Sequence, residues 1–468
     1  MKKIFKDFSY SVLANGVNML ISLVLVLFVP KVLGVKEYSY WQLYLFYASY
    51  VGFFHFGWAD GVYLRFGGKK YAELDKRYFH TQFWLLTFME IIIAVAIGAA
   101  AVVFIPDANK EIALIATGLC CIVQLPRTFL QYILQSTDKI ANYAKNFLLE
   151  KMIYAILVIG LLVLGVKDFK VLIGADLIAR GFTLVLLLRE CKDIVKGKAI
   201  QWKAGIQGAW QNISVGSKLM FSSIASMLLT GIVRFAIENQ WSVEVFGRVS
   251  LTITASNLLM IFINAVSIVM YPVLKNLSED RYTEVYKNMR NMLMIPVLGL
   301  LIVYYPAKVI LSWWLPQYAE SLRYMALLFP MCVFESKMSM LVNTYFKALR
   351  KEKEIMKINW IMLGVTAVLT GITAYGLHNL TLAIATLPVV MGLRCLMGEL
   401  YLSQKLHMKV AKENIMEIGL AFIFIVASWL IESWVCTAIY AAFYGGYLII
   451  KRKELGNLIS NVKKVGKK

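Results

Sequence analysis

Long apolar runs recur along the whole chain, and they constrain its fold more than any other feature. They lie at about 9–30, 38–57, 79–105, 111–135, 147–166 and 169–188. A second series lies at 215–236, 246–272, 289–311, 320–347, 357–378, 381–402, 414–432 and 434–450. Crossing the hydrocarbon of a bilayer takes roughly 20 apolar residues in a helix. In lipid every backbone donor and acceptor must be paired, which a helix achieves within the segment itself. Fourteen such helices use about 280 residues, close to the 59% of the 468 residues that are hydrophobic. Only 16% of the chain is charged, against roughly 25% in a soluble domain. A soluble enzyme, a disordered chain and a secreted disulfide scaffold are excluded. The expectation is an all-α polytopic membrane protein with about 14 transmembrane helices.

The excess of 49 Lys+Arg over 28 Asp+Glu gives a net charge of +21. Lys and Arg collect in the cytoplasmic loops of membrane proteins. With both termini cytoplasmic, the inner segments hold 36 of these residues and the outer segments nine, the other four lying within the apolar runs. That asymmetry accounts for most of the charge without a nucleic-acid partner. The N-terminal MKKIFKDFSYSV has the basic start of a signal peptide, but its apolar stretch runs to Val29 without an A-x-A site, so a retained first helix is expected. The six cysteines form no CxxC, and the four histidines lack metal-ligand spacing. No metal, cofactor or catalytic residue is expected: GxSxG, HExxH, Walker and outer-loop DxD patterns are missing from the sequence.

The longest polar connection divides the runs into six, six and a terminal pair. The expected organisation is a six-helix lobe at 1–188, a cytoplasmic and amphipathic linker at 189–214, and a second six-helix lobe at 215–402. Helices 13 and 14 follow at 403–450, then a basic tail at 451–468. The linker contains WKAGIQGAW, with Trp202 and Trp210 suited to headgroup depth. An offset of 207 aligns VYLRFGGKKYAE (62–73) with VMYPVLKNLSED (269–280), and KEYSYW (36–41) with VEVFGR (243–248). An offset of 212 aligns ILQSTDK (133–139) with YFKALRK (345–351). Near-constant offsets point to a repeat of two lobes, an architecture common in transporters.

Ionisable residues inside apolar runs are expensive in lipid and mark function or pairing. Here they are Glu90, Arg127, Asp176, Arg180, Glu335, Lys337, Arg394 and Glu399. Asp176 and Arg180 are four apart and can neutralise each other on one helix face. Glu335 and Lys337 are two apart and point to different faces. Arg127 follows Pro126, and Arg394 has no acid within four positions, so each needs a hydrated cavity or an acid on another helix. Guanidinium binds phosphate through two parallel donors. Arg127 and Arg180 from the first lobe, with Lys337 and Arg394 from the second, would suit a diphosphate. Glu90, Asp176 and Glu335 are the candidates for proton or sodium coupling. Asn15 and Asn18, with Ser22, form a polar stripe on helix 1; Ser226, Thr230 and Asn257 on helices 7 and 8 could meet sugar hydroxyls.

VPKVLGVKEYSYW (29–41), FGWADGVYLRFGGKKYAE (56–73) and ILQSTDKIANYAKNFLLEKMIYAIL (133–157) resemble the polysaccharide transporter, or O-antigen flippase, family. That family belongs to the superfamily of multidrug, oligosaccharidyl-lipid and polysaccharide exporters. Leu33, Gly34 and Tyr38 match its Leu-Gly-x-x-x-Tyr turn; Gly57, Gly61 and Arg65 match its Gly-rich segment ending in Arg. Members often carry an Asp on helix 7 where this chain has Arg234, and Arg65 and Arg234 join the diphosphate candidates. The resemblance implies a monomeric, non-enzymatic flippase of the bacterial cytoplasmic membrane. Its partners would be membrane lipids and undecaprenyl-diphosphate-linked oligosaccharide, moved by alternating access and coupled to protons or sodium. The lipid tail would lie in lipid between the lobes, with helices 13 and 14 as a groove for it. Rival expectations are a multidrug exporter of the same fold and a membrane glycosyltransferase or polymerase.

Overall fold

The computed structural model describes residues 20–257 and 282–452, together with Gly16, Met260, Glu454 and Gly456. Each of the fourteen apolar runs carries helix among these residues, and no strand occurs among them. Among the described residues, ten helices are long and apolar enough to cross a membrane. In chain order the elements begin with α1 (Leu20–Leu33), α2 (Val35–Tyr50) and α3 (Trp58–Phe66). They continue with α4 (Lys76–Phe104), α5 (Ala108–Ser136), α6 (Ile140–Val163), α7 (Phe169–Glu190), the short α8 (Lys192–Val195) and α9 (Trp202–Gln240). After α10 (243–257) come α11 (Tyr282–Trp314), α12 (Met325–Ala348) and α13 (Glu352–Gly376). The series closes with α14 (Leu380–Lys405), α15 (Ala411–Leu430) and α16 (Trp434–Ile450). The protein is an all-α polytopic membrane protein.

Helix starts follow local chemistry. Asp75 accepts from the amides of Arg77 and Tyr78, and Asp107 from those of Asn109 and Lys110. Asp168, Asn379 and Ser433 cap α7, α14 and α16 in the same way. Each satisfies amide donors that a helix start leaves unpaired.

The second apolar run departs from a single helix. After α2 comes a 3₁₀ turn at Val51–Phe53, then two left-handed residues, Phe56 (φ 52°) and Gly57 (φ 85°), before α3. Left-handed backbone is cheap for glycine and costly for a bulky residue such as phenylalanine. Four residues after Gly57, Gly61 lets α3 lie directly on α9: a Cβ there would overlap the Asn212 carbonyl oxygen.

The chain divides into two compact units, Met1–Ile224 and Ala225–Lys468, with the boundary inside α9. The segment 189–214 packs into unit 1: Cys191, Ile194 and Ala209 share a core with Trp58, Phe79, Phe83, Leu130 and Leu134. Trp202 and Trp210 stay exposed on the outer face of α9. In unit 2, the rings of Tyr304, Phe424 and Tyr440 meet edge to face at 5.3 and 5.4 Å, which seats α15 and α16 against α11.

Candidate functional sites in each unit

Pro126 has no N–H, so the Ile122 carbonyl of α5 loses its ladder partner just before Arg127. Arg127 is buried and donates to Glu150 on α6 and, at 2.9 Å, to Gln124 Oε1. The same Gln124 oxygen accepts from Arg180 at 2.7 Å. Arg180 Nε donates to Asp176 Oδ2 at 2.7 Å, which also accepts from the Tyr44 hydroxyl at 2.6 Å. One continuous network therefore runs Glu150–Arg127–Gln124–Arg180–Asp176–Tyr44 across α6, α5, α7 and α2. Two guanidiniums face two carboxylates, and the pairing of Asp176 with Arg180 is the one their spacing allows.

Unit 2 holds a second network. Arg290 on α11 donates to Glu399 Oε1 at 2.7 Å and lies 2.8 Å from Glu417 Oε1. Lys337 on α12 donates to Glu417 Oε2 at 2.8 Å and to Asn414 Oδ1 at 2.6 Å, and also pairs with Glu399. The Tyr286 hydroxyl completes the set at 2.9 Å from Glu399. All four charged side chains are buried, so the box binds α11, α12, α14 and α15 together with no net charge. A π-helical segment, Met338–Val342, follows Lys337 directly, and such segments re-aim side chains within a helix.

Arg394 stands apart from that box. Its guanidinium donates to Asn359 Oδ1 at 2.9 Å, Ser226 Oγ at 3.0 Å and Glu335 Oε2 at 3.4 Å. Arg394 is buried, whereas the Glu335 side chain is 35% exposed. The acid that balances this arginine is thus the accessible member of the pair.

The remaining candidates lie elsewhere. Arg65 donates to Asn212 Oδ1 at 2.5 Å, Gln211 Oε1 at 2.8 Å and the Tyr78 hydroxyl at 3.3 Å, beside the Gly61 contact. The spacing of Gly61 and Arg65 thereby acquires a physical reason: one permits the approach of α9 and the other fastens it. Arg234 donates to Ser250 Oγ at 3.0 Å and lies over the Phe246 ring. The Thr230 hydroxyl bonds back to the Met227 carbonyl, and Asn257 is exposed. Asn15 and Asn18 lie outside the described residues. Glu90 is buried on α4, away from both networks.

The sequence offers Arg127, Arg180, Lys337 and Arg394 as cations for a diphosphate, with pairing to an acid as the other outcome for Arg127, Arg180 and Arg394. In the structure each is met by a carboxylate, and burial explains why, since a buried guanidinium or ammonium without a counter-charge is costly. Glu150, Arg290 and Glu417 lie in the first turn of the runs 147–166, 289–311 and 414–432, and were missed because that turn reads as the polar end of a crossing. Counting the first turn of each run as part of the buried helix would have found them. No group of metal-ligating side chains occurs among the described residues.

An apolar groove of about 520 Å³ opens between α15 and α16. Gly419, Leu420 and Ile423 line one side, and Phe443, Gly446 and Tyr447 the other.

The helix order and the two units define an all-α polytopic fold that solved membrane proteins share. No family model and no curated protein matches the chain. An inward-facing multidrug resistance MATE family transporter of the MOP superfamily matches with a TM-score of 0.64 at 12% identity, over 84% of this chain and 98% of its own. The lipid II flippase MurJ, in an inward closed conformation, matches with a TM-score of 0.61 at 11% identity, over 96% of this chain and 100% of its own. A MATE in complex with MaD5 gives 0.55 at 11% identity, over 86% and 96%. At these identities the likeness is one of fold.

Proposed function

We propose that this protein is a flippase that carries a lipid-linked oligosaccharide through its diphosphate and its polyprenyl tail across the bacterial cytoplasmic membrane. Both termini would lie in the cytoplasm, as the charge asymmetry of the loops requires. The observation that carries the reading is the groove between α15 and α16, which is apolar along its length and suits a chain of isoprenes. The extent of the fold matches supports it: the flippase covers 96% of this chain, whereas the MATE transporters cover 84% and 86%. A soluble drug has no tail to place in such a groove.

With each buried cation balanced, the sign of the charge no longer separates a diphosphate from a drug cation. The diphosphate would instead enter by exchange, taking the place of an acid on a guanidinium. Arg394 is the residue best arranged for it, because its Glu335 partner is partly exposed and weakly bonded at 3.4 Å. A multidrug exporter of the same fold is the competing reading, favoured by the TM-score of 0.64 to such a transporter.

The test is direct. Purified protein in liposomes should move a fluorescent undecaprenyl-diphosphate disaccharide between leaflets, read by its accessibility to a membrane-impermeant quencher. Transport of cationic dyes without movement of the lipid would replace the flippase reading with the exporter.

A further inference from the structure

Helix α4 is peripheral. Phe88, Ile91, Ile92 and Val95 are exposed on its outer face. Its buried stripe is Phe79, Phe83, Leu86, Glu90, Ala94 and Ala101, at the spacing of one helix face. Glu90 is therefore on the seam with α5, at the middle of a 29-residue span. It is 0% exposed, and neither carboxyl oxygen has a hydrogen-bond partner among the described residues. One turn further on, the seam is tight: a Cβ on Gly118 of α5 would lie 2.9 Å from the Ala94 carbonyl oxygen.

The contrast within unit 1 is sharp. Glu150 and Asp176 are also buried, and each meets an arginine. From α5, the titratable side chain facing Glu90 is the Cys121 thiol. Helices α3, α8 and α9 bond to α4 between Tyr78 and Trp84, through Tyr78, His80, Gln82 and Trp84, all before Glu90 in the helix. A carboxylate in that position meets no hydrogen-bond donor among the described residues, and its neutral acid form lowers the cost of burial.

We propose that Glu90 is a proton-binding site that couples unit 1 to a proton gradient: the α4–α5 seam stays closed while the acid is protonated and loosens when the proton leaves. On release, the carboxyl O–H bond breaks and the proton passes to water on the side then accessible. The carboxylate left behind draws water into the seam, so α4 separates from α5. Rebinding reverses each change. This deepens the transport reading above and rests on it for its role in a cycle.

Glu90→Gln has the shape of the protonated acid and should fold with an unchanged melting temperature. Infrared titration of the purified protein in nanodiscs should show a protonated-carboxyl C=O band that is lost at high pH and missing from Glu90→Gln. In liposomes, an imposed pH gradient should speed movement of the fluorescent undecaprenyl-diphosphate disaccharide by the native protein. Glu90→Gln should lose that response. An equal response in both proteins overturns the proposal. Failure of the native protein to move the probe removes the transport reading instead, and the infrared band then decides the proton site. Its presence supports the site, and identical spectra of the two proteins overturn it.

Discussion

Glu417 on α15 accepts from Lys337 on α12 at 2.8 Å, so a helix of the C-terminal pair is tied to the interior of unit 2 by a buried charge. The same carboxylate faces Arg290 at 2.8 Å. Glu417→Gln would leave two buried cations facing Glu399 alone. Breaking a buried pair in this way costs about 3–5 kcal/mol, which should appear as a large fall in the melting temperature in detergent. Adding Lys337→Met should recover part of the loss, because charge balance returns. A single variant as stable as the native protein would show that the box carries little of the fold.

Arg127 and Arg394 separate structure from transport in different ways. Arg127→Ala leaves Glu150, which is 2% exposed, with only the looser Lys151 partner at 3.6 Å, and should reduce abundance. The double variant Arg127→Ala with Glu150→Ala should restore abundance, so that any remaining loss of export is functional. Arg394→Ala strands a partly exposed acid and should be tolerated by the fold while export falls. Arg394→Lys should recover only part of the export, since an ammonium cannot offer two parallel donors. Normal export by Arg394→Ala at normal abundance would remove this arginine from the mechanism.

The groove offers a test that leaves the charges alone. Gly419 and Gly446 line it, and a Cβ at either meets nothing within 4 Å. Gly419→Leu and Gly446→Leu should therefore fold normally and fill the space. Movement of the lipid-linked probe should drop in both, and most in the double variant. Unchanged movement with the groove filled would show that the tail lies elsewhere.

Acid should loosen the short α8. Asp193 receives a hydrogen bond from the Tyr71 hydroxyl at 2.8 Å, and Lys76 lies 3.2 Å from it. Partial burial pushes its carboxyl up, but those contacts outweigh burial and hold it below the usual range. A depressed carboxyl stabilises the fold above its unfolded value and loses that contribution as pH falls through its folded one. The melting-temperature gap between native protein and Asp193→Asn should be full above about pH 5 and close as pH drops below about 4. A gap that stays constant over this range would show that the pairing contributes nothing.

The sequence by itself determined the class and the number of helical runs. Lipid is a solvent that hydrogen-bonds nothing, so each crossing must show as a long local run of apolar residues, and such runs are visible without neighbours. It also exposed Asp176 with Arg180, whose partnership is a matter of one helix face. Only the tertiary structure decided the remaining partners. Glu90 and Glu399 are both glutamates at 0% exposure in spanning helices, yet Glu399 meets two cations and Glu90 none among the described residues. The break between α2 and α3 was equally hidden, because a run of apolar residues reads the same whether its backbone is continuous or turned. Hydropathy is set residue by residue along the chain. Pairing depends on which helix faces meet, and Arg290 with Glu399, or Lys337 with Glu417, meet only after distant segments have packed.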